Sequence, residues 1–206
     1  KVYNTRQVDE LIVLDITATG DNREPDYLMI NEFAAECFVP LTFGGGVNSV
    51  EIIKRLLRSG ADKISVNSAI YENPDIIEQG VMRFGKQCIV ASIDVKKEKG
   101  DYICYSRSGS LNTNRHLDEV VQTVYELGVG EILITSIEQD GTMNGYDVEM
   151  IRSVSDRVDI PVIASGGAGN YEHMHEALVH GKASAIAAAS IYHFTEQTPL
   201  EAKDYL

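Results

Sequence analysis

PLTFGGGV, residues 40–47, and PVIASGGA, residues 161–168, are two copies of one pattern, an apolar strand that runs into a glycine-rich loop. They lie 121 residues apart, and the same offset aligns residues 8–13 with residues 129–134. Because separate segments match at the same offset of 121 residues, the sequence predicts an internal repeat. A period of about 120 residues is too long for a solenoid unit but suits four strand–helix units, so two repeats predict an eight-unit barrel.

Short aliphatic runs alternate with amphipathic stretches along the chain, which is typical of βα units around a parallel sheet. Seven parallel strands are predicted, at residues 10–16, 40–43, 62–67, 88–94, 131–136, 160–164 and 184–189. Helices are predicted at residues 24–37, 49–59, 73–84, 116–128, 147–157 and 171–180. Residues 101–107 are predicted to form part of a β-hairpin inserted after the fourth strand. The fold class is therefore α/β, a (β/α)8 TIM barrel.

The repeat also predicts the domain organisation. Residues 1–206 form one domain, with an N-terminal half-barrel at 1–87 and a C-terminal half-barrel at 88–206. The first half has three predicted strands and the second has four, and the chain opens at residues 1–4 as if within a helix. Because a missing strand leaves unpaired edges, we expect the natural gene product to carry a first βα unit before this sequence. A seven-stranded or swapped barrel is the alternative.

Composition excludes several classes of partner. The formal net charge of −13 would repel nucleic acid and anionic lipid. Three cysteines without metal-type spacing predict reduced, structural thiols. Without a signal peptide or an apolar run that could span a membrane, a cytoplasmic protein is expected. No metal-ligand motif or dinucleotide fingerprint is present, so we expect neither a metal nor a cofactor.

The two glycine loops predict phosphate sites. Glycines let a phosphate approach the backbone N–H groups, and the dipole of the following helix favours negative charge. Small or polar residues end the next strand in each half, so a ligand with a phosphate at each end is expected. The candidate contacts are Gly45, Gly46, Asn67 and Ser68 in the first half, and Gly166, Gly167, Ala189 and Ser190 in the second. The alternative is that these glycines only make tight turns.

Acidic residues at strand ends are candidates for chemistry, since active sites of this fold lie at the carboxyl ends of the strands. Asp94 ends an apolar strand, where partial burial raises a carboxyl pKa toward the range of a general acid or base. Its alternative role is to anchor the loop at residues 96–97. Asp140 either contacts ligand or caps its turn. Asp15 is predicted to act indirectly, by orienting a neighbouring threonine.

Several motifs closely resemble the cyclase subunit of imidazole glycerol phosphate synthase. They span nearly the whole chain and comprise residues 14–18, 44–46, 66–69, 92–96, 135–137, 140–142, 145–147 and 164–169. The resemblance implies a lyase of histidine biosynthesis that takes ammonia from a glutaminase partner in a heterodimer. Its substrate is a bisphosphorylated ribulosyl aminoimidazole carboxamide, and its products are imidazole glycerol phosphate and aminoimidazole carboxamide ribotide.

The resemblance also assigns roles to residues. It makes Asp94 one of two catalytic aspartates and places Ser108 in a loop that borders the substrate. It gives phosphate or linker contacts to Gly46, Asn67, Ser68, Asp140, Gly141, Gly167, Ala189 and Ser190. It implies that Glu10, Lys63 and Glu131 belong to a charged ring at the mouth of an ammonia passage. Without the resemblance, charges at strand starts are more often simple solvation.

Two departures from the family leave other functions open. The second catalytic aspartate and the substrate-loop lysine belong to the βα unit expected before this sequence, so residues 1–206 alone are expected to be inactive or incomplete. Glu138–Gln139 replaces an aspartate and an arginine, and Asn114 replaces a glycine. Residues 3–5 and 35–42 resemble paralogues that assist an amidotransferase acting on surface-sugar precursors. A noncatalytic scaffold that activates a glutaminase is a third hypothesis.

Overall fold

The computed structural model describes residues 6–206, and strands alternate with helices over most of this range, apart from the inserted hairpin after the fourth strand. The prediction of a helix at residues 1–4 lies outside the described residues. The strands are β1 Leu11–Leu14, β2 Leu41–Gly44, β3 Lys63–Val66, β4 Ile89–Glu98, β5 Asp101–Ser106, β6 Leu111–His116, β7 Glu131–Ser136, β8 Val162–Ser165 and β9 Ala185–Ile186. The helices are α1 Tyr27–Glu36, α2 Val50–Arg58, α3 Ser68–Glu72, α4 Asp75–Phe84, α5 Leu117–Glu126, α6 Val148–Ser155, α7 Tyr171–Val179, α8 Ser190–Phe194 and α9 Pro199–Tyr205, with a 3-10 turn at Lys86–Cys88.

The sheet has the order β1-β2-β3-β4-β7-β8-β9, and these seven strands pair in parallel. The predicted parallel sheet is therefore confirmed, as is the inserted hairpin, since β5 pairs antiparallel with both β4 and β6. This is the strand–helix architecture of a (β/α)8 barrel. None of the helices in residues 6–206 has the length and apolar character that crossing a bilayer requires.

Alternate residues of the strands face opposite sides of the sheet. On β4, Ile89, Ala91 and Ile93 join the large core between strands and helices. Val90 instead joins a small inner cluster with Leu133 of β7, beside Ile163 and Ile12. The side chains of Ser92 and Asp94 share the inner face with Val90, because they follow it at steps of two. Asp94 therefore points to the barrel interior at the carboxyl end of β4.

The helices that follow the two glycine loops begin in the same way. Ser49 caps α2 by accepting a hydrogen bond from the Ile52 amide at 3.3 Å. Asn170, at the repeat offset of 121 from Ser49, caps α7 by accepting one from the His173 amide at 2.9 Å. These caps satisfy N–H groups that a helix start leaves unpaired. The repeat thus extends from the loops to the helix starts behind them.

Several short elements lie outside the sequence prediction. The one-turn helices α3 and α8 start two and four residues after the last residues of β3 and β9, that is at Ser68 and Ser190, and are too short to show a helical period. Strand β4 continues to Glu98, beyond the predicted end at residue 94, because its outer part pairs with β5 as a hairpin. The sequence pattern of a strand does not reveal whether it continues past the barrel rim.

Candidate active site at the carboxyl ends of the strands

Asp94 lies on the inner face of β4 and is held by a neighbouring amide. Asn67, at the end of β3, donates from Nδ2 to the Ser92 carbonyl at 3.0 Å and to Asp94 Oδ2 at 3.4 Å. The other amide atom, Asn67 Oδ1, is buried and has no hydrogen-bond partner within residues 6–206. A buried acceptor without a partner is costly, so this atom is a natural contact for a donor group of a ligand.

Burial raises the pKa of Asp94 from its ordinary value of 3.8 to about 6, and repulsion from Asp140 adds to the effect. Desolvation disfavours the charged carboxylate, and a second negative charge disfavours it further. A group with this pKa exists in both protonation states near neutral pH, which suits it to accept and return a proton. Asp140 is exposed in the loop after β7, where its amide donates to the Ser136 carbonyl at 2.9 Å.

The first glycine loop follows β2. Gly45 and Gly46 have φ values of 109° and 68°, which favour glycine. A Cβ on Gly45 would lie 2.2 Å from the Asp15 carbonyl oxygen, so the loop packs its backbone directly on the end of β1. Ser68, the first residue of α3, lines the same pocket as Gly46, and this pocket has a volume of about 120 Å³. The structure therefore brings Gly46 and Ser68 together.

The second glycine loop follows β8 and repeats this packing. Gly166 and Gly167 have φ values of 89° and 111°. A Cβ on Gly166 would lie 2.8 Å from the Ser136 carbonyl oxygen and 3.4 Å from the Asp140 backbone. Gly167 also accepts a hydrogen bond from the Gly145 amide at 2.8 Å. Asp140 thus lies against the second glycine loop, as a ligand contact there requires.

The residues around the second loop include the positions that depart from the family. Glu138 accepts a hydrogen bond from the Lys97 amide at 3.0 Å, which ties the loop after β7 to the outer part of β4. The Cβ of Gln139 would be 3.1 Å from a Cβ on Gly167. Gly141 has a φ of 75° with open space around it. Ala189 and Ser190 mark the start of α8, as Asn67 and Ser68 mark the start of α3.

Asp15 lies just past β1 and is fully engaged with its own loop. It accepts hydrogen bonds from the Thr17 amide and hydroxyl at 3.2 Å and from Arg23 at 2.7 Å. Burial alone would raise the pKa of Asp15, but the hydrogen bonds from Arg23 and Thr17 outweigh it and hold that pKa below its ordinary value. Asp15 therefore stays ionised and orders the loop after β1.

Three charged residues meet at the opposite end of the barrel. Lys63 Nζ lies 2.7 Å from Glu10 Oε2 and 2.6 Å from Glu131 Oε1. Burial would lower the pKa of Lys63, but its hydrogen bonds to both carboxylates outweigh that effect and raise the pKa. The ammonium is therefore permanently charged near neutral pH. We call these three residues the ion cluster.

The family profile described as "Histidine biosynthesis protein" matches residues 1–198. The chain belongs to the histidine biosynthesis protein family. Curated relatives agree with the profile. The chain is 45% identical over 210 residues to the "Imidazole glycerol phosphate synthase subunit HisF" of Microcystis aeruginosa (strain NIES-843 / IAM M-2473), with all of this chain and 83% of the relative covered.

Two further family members show the same extent of similarity. The proteins of the same name from Chlorobium limicola (strain DSM 245 / NBRC 103803 / 6330) and Chlorobaculum parvum (strain DSM 263 / NCIMB 8327) are 44% and 46% identical over 206 residues. Each alignment covers the whole chain and 82% of the relative. The resemblance to this family that the motifs predicted is confirmed.

The structure also shows site residues that sequence reasoning overlooked. Arg23 and Arg107 line the pocket of the first glycine loop, 84 residues apart in the chain. The only sequence signal for Arg107 is its position before Ser108, in the loop expected to border the substrate. Ser108 lies at the hairpin tip and donates from Oγ to the Ile16 carbonyl at 2.8 Å. Within residues 6–206, no group of three or more His, Cys, Asp or Glu side chains is arranged to hold a metal ion.

Proposed function

We propose that this chain is the cyclase subunit of an imidazole glycerol phosphate synthase. It uses ammonia from a glutaminase subunit to convert a bisphosphorylated ribulosyl aminoimidazole carboxamide into imidazole glycerol phosphate and aminoimidazole carboxamide ribotide. Membership of the histidine biosynthesis family supports the reaction class. The position of Asp94 between two glycine loops is the observation that carries the assignment of the site.

Strand order places Asp94 midway between the loops. In the sheet, the strands lie in the order β2-β3-β4-β7-β8, so β4 is two strands away from β2 and two strands away from β8. The loops after β2 and β8 contain Gly46 and Gly167, and both lie at the carboxyl edge of the sheet. A ligand with one phosphate on each loop would therefore lay its central part over the inner carboxyl end of β4. The reacting centre of the proposed substrate lies between its two phosphates.

The role proposed for Asp94 is proton transfer during cyclisation. Its pKa of about 6 allows it to take a proton from one group and return it to another near neutral pH. Asn67 positions the carboxylate through its amide at 3.4 Å. The phosphate contacts are proposed for Gly45, Gly46, Asn67, Ser68, Asp140, Gly141, Gly166, Gly167, Ala189 and Ser190, with Ser108 and Asp15 supporting them.

The glutaminase subunit is proposed to dock at the opposite end, over the ion cluster. The inner face of β3 runs from Lys63 through Ser65 to Asn67, because these residues follow one another at steps of two. Ammonia that passes Lys63 would thus travel through the barrel interior toward Asp94. The ion cluster would form the mouth of this passage.

The decisive experiment measures turnover of the bisphosphate substrate with free ammonia, using the full-length protein and Asp94→Asn. We expect turnover to fall by about 10²–10⁴-fold, while the affinity for the substrate stays within about tenfold, since proton transfer and not binding is lost. The control is Asp118→Asn, whose carboxylate on α5 pairs at 2.6 Å with Arg157 in the turn after α6. A fully active Asp94→Asn enzyme would remove Asp94 from the mechanism.

The same assay separates the competing functions. Absence of turnover by the wild-type protein, together with intact binding of the bisphosphate, would contradict the histidine-pathway reaction and favour the amidation of a surface-sugar precursor. Stimulation of the glutaminase without binding of the bisphosphate would instead favour a noncatalytic scaffold.

The partner is tested with Lys63→Met in the complex with the glutaminase. Loss of the ammonium leaves two facing carboxylates, Glu10 and Glu131, that repel each other at the mouth of the passage. We expect glutamine-dependent turnover to fall by about tenfold, and turnover with free ammonia to change by less than about twofold. Lys182→Met is the control, since Lys182 pairs with Asp156 on the outer surface. An equal loss in both assays would contradict a role in the passage.

A further inference from the structure

The pocket at the first glycine loop has a distinctive charge. Three ionisable side chains are among the residues that line it, namely Arg23, Arg107 and Glu72. The lining thus holds two guanidinium groups and one carboxylate, in a chain whose formal charge is −13. Guanidinium groups beside a glycine loop are a feature that attracts a phosphate.

Each arginine is held at the pocket by a carboxylate. Arg23 lies 2.7 Å from Asp15 and 3.7 Å from Asp21, and it also donates to the Thr17 hydroxyl at 2.8 Å. Arg107 donates through Nη2 and Nε to one oxygen of Glu72, at 2.9 and 3.2 Å. The two partners of this second pair are about half exposed, with relative exposures of 49% and 48%. Solvent-exposed pairs of this kind are weak, so a phosphate can compete for the guanidinium.

Arg107 lines this pocket from a backbone position with an unusual conformation. Arg107 and Ser108 have φ values of 53° and 56°, although neither is glycine. Such conformations are costly and persist where the surroundings hold them. Here the Arg107 amide donates to Ser68 Oγ at 3.3 Å, and Ser108 Oγ donates to the Ile16 carbonyl at 2.8 Å. The hairpin tip is therefore fastened on both sides of the pocket, to the start of α3 and to the loop after β1.

We propose that Arg107, with Arg23, binds the substrate phosphate at the first glycine loop, and that Arg107 exchanges Glu72 for this phosphate. The planar guanidinium offers two parallel N–H donors to a phosphate, which is a better acceptor than a single carboxylate oxygen. Binding then ties the β5–β6 hairpin tip to the ligand, because Arg107 is part of that tip. This inference rests on the proposed function, which supplies the phosphate ligand.

The test uses inorganic phosphate as the probe and follows the backbone amides of Gly46 and Gly167 by NMR. The two amides report separately on the two loops, so the second loop is an internal control for folding. The variants are Arg107→Gln, Glu72→Gln and the double variant. Arg157→Gln is the matched control, because Arg157 also forms an exposed pair with a carboxylate, that of Asp118, but lies in the turn after α6.

We expect Arg107→Gln to weaken phosphate binding at Gly46 by about tenfold and to leave the Gly167 titration unchanged. Glu72→Gln should leave binding at Gly46 unchanged or tighten it, since it frees Arg107 from its competitor. The double variant should bind as weakly as Arg107→Gln. Equal weakening by Arg107→Gln and Glu72→Gln would overturn the proposal, because it would show that the pair acts only as a structural tie.

The two proposals fail in different ways. Unchanged binding at Gly46 in Arg107→Gln overturns the role of Arg107 and leaves the proposed function intact. If phosphate does not bind at Gly46 in the wild-type protein, the first glycine loop is not a phosphate site. The role of Arg107 and the part of the proposed function that uses this loop are then both wrong.

Discussion

The two glycine loops share one backbone design but differ in what surrounds it. Gly45 packs on the carbonyl of Asp15, and Gly166 packs on that of Ser136, the residue 121 positions after Asp15. In the first half, the Asp15 carboxylate is anchored by Arg23. In the second half, a small buried serine occupies the equivalent position. The backbone template is common to both halves, whereas the side chain at the equivalent position differs.

This difference shows that the repeat and the chemistry are separable. A backbone packed within van der Waals distance accepts only glycine, so both copies keep it. Side chains around the loops are free to diverge, and here two arginines, each paired with a carboxylate, border the first loop. The second loop instead makes hydrogen bonds through the Gly145 amide, the His173 ring and the Gln197 amide. One ligand with two phosphates would therefore meet two different environments.

The largest expected effect comes from adding a methyl group to either loop. Gly45→Ala and Gly166→Ala place a Cβ 2.2 and 2.8 Å from a backbone oxygen and require an unfavourable positive φ. Each should lower the free energy of unfolding by about 3–4 kcal/mol, measured by urea denaturation. Gly141→Ala, at a φ of 75° in open space, is the control and should cost only about 1 kcal/mol. If either loop variant lowers the free energy of unfolding by less than about 1 kcal/mol, the backbone packing at that loop tolerates a Cβ and the prediction is wrong.

The next effect contrasts two strand-end acids, Asp94 and Asp15, through the pH dependence of stability. The raised pKa of Asp94 means that its charging destabilises the fold as pH rises from 3.8 to about 6. Asp94→Asn should therefore gain about 2–3 kcal/mol over wild type above pH 6 and nothing below about pH 4.

Asp15 should behave in the opposite sense. Its lowered pKa means that it stabilises the fold above 3.8 and that this stability is lost as pH falls below that value. Because Arg23 is about 41% exposed, solvent screening reduces the effect, and Asp15→Asn should cost only about 1–2 kcal/mol near neutral pH. Urea denaturation at a series of pH values measures both variants. Parallel curves for the two variants would contradict the contrast.

The smallest expected effect tests the shared part of the repeat. Ser49→Ala and Asn170→Ala each remove one N-cap hydrogen bond behind a glycine loop. Both should lower the free energy of unfolding by about 1 kcal/mol, as measured by thermal or urea denaturation. If the two variants differ clearly in the free energy of unfolding, the two half-barrels are equivalent in their glycine loops but not in the helix starts behind them. Gln79→Ala, at an exposed position of α4, serves as a surface control.

Much of the fold could be predicted from the sequence, because it rests on local patterns. Apolar alternation marked the strands, the offset of 121 residues related the halves, and glycine identified the sites where backbones approach closely. The strand-end position of Asp94 follows from the same patterns, since the carboxyl end of a barrel strand is defined by chain direction. The one-turn helices α3 and α8 escaped prediction because they are shorter than any recognisable period.

Only the tertiary structure decided the contacts between distant parts of the chain. The pKa of Asp94 depends on burial and on Asp140, which is 46 residues away. The hairpin tip reaches Ile16 across 92 residues, and this fold-back brings Arg107 into the pocket that Arg23 also lines. Composition and periodicity describe the local preferences of one helix or strand and do not show which distant elements it contacts. Electrostatics and site geometry depend on which elements meet, and the order and register of the strands in the sheet determine that.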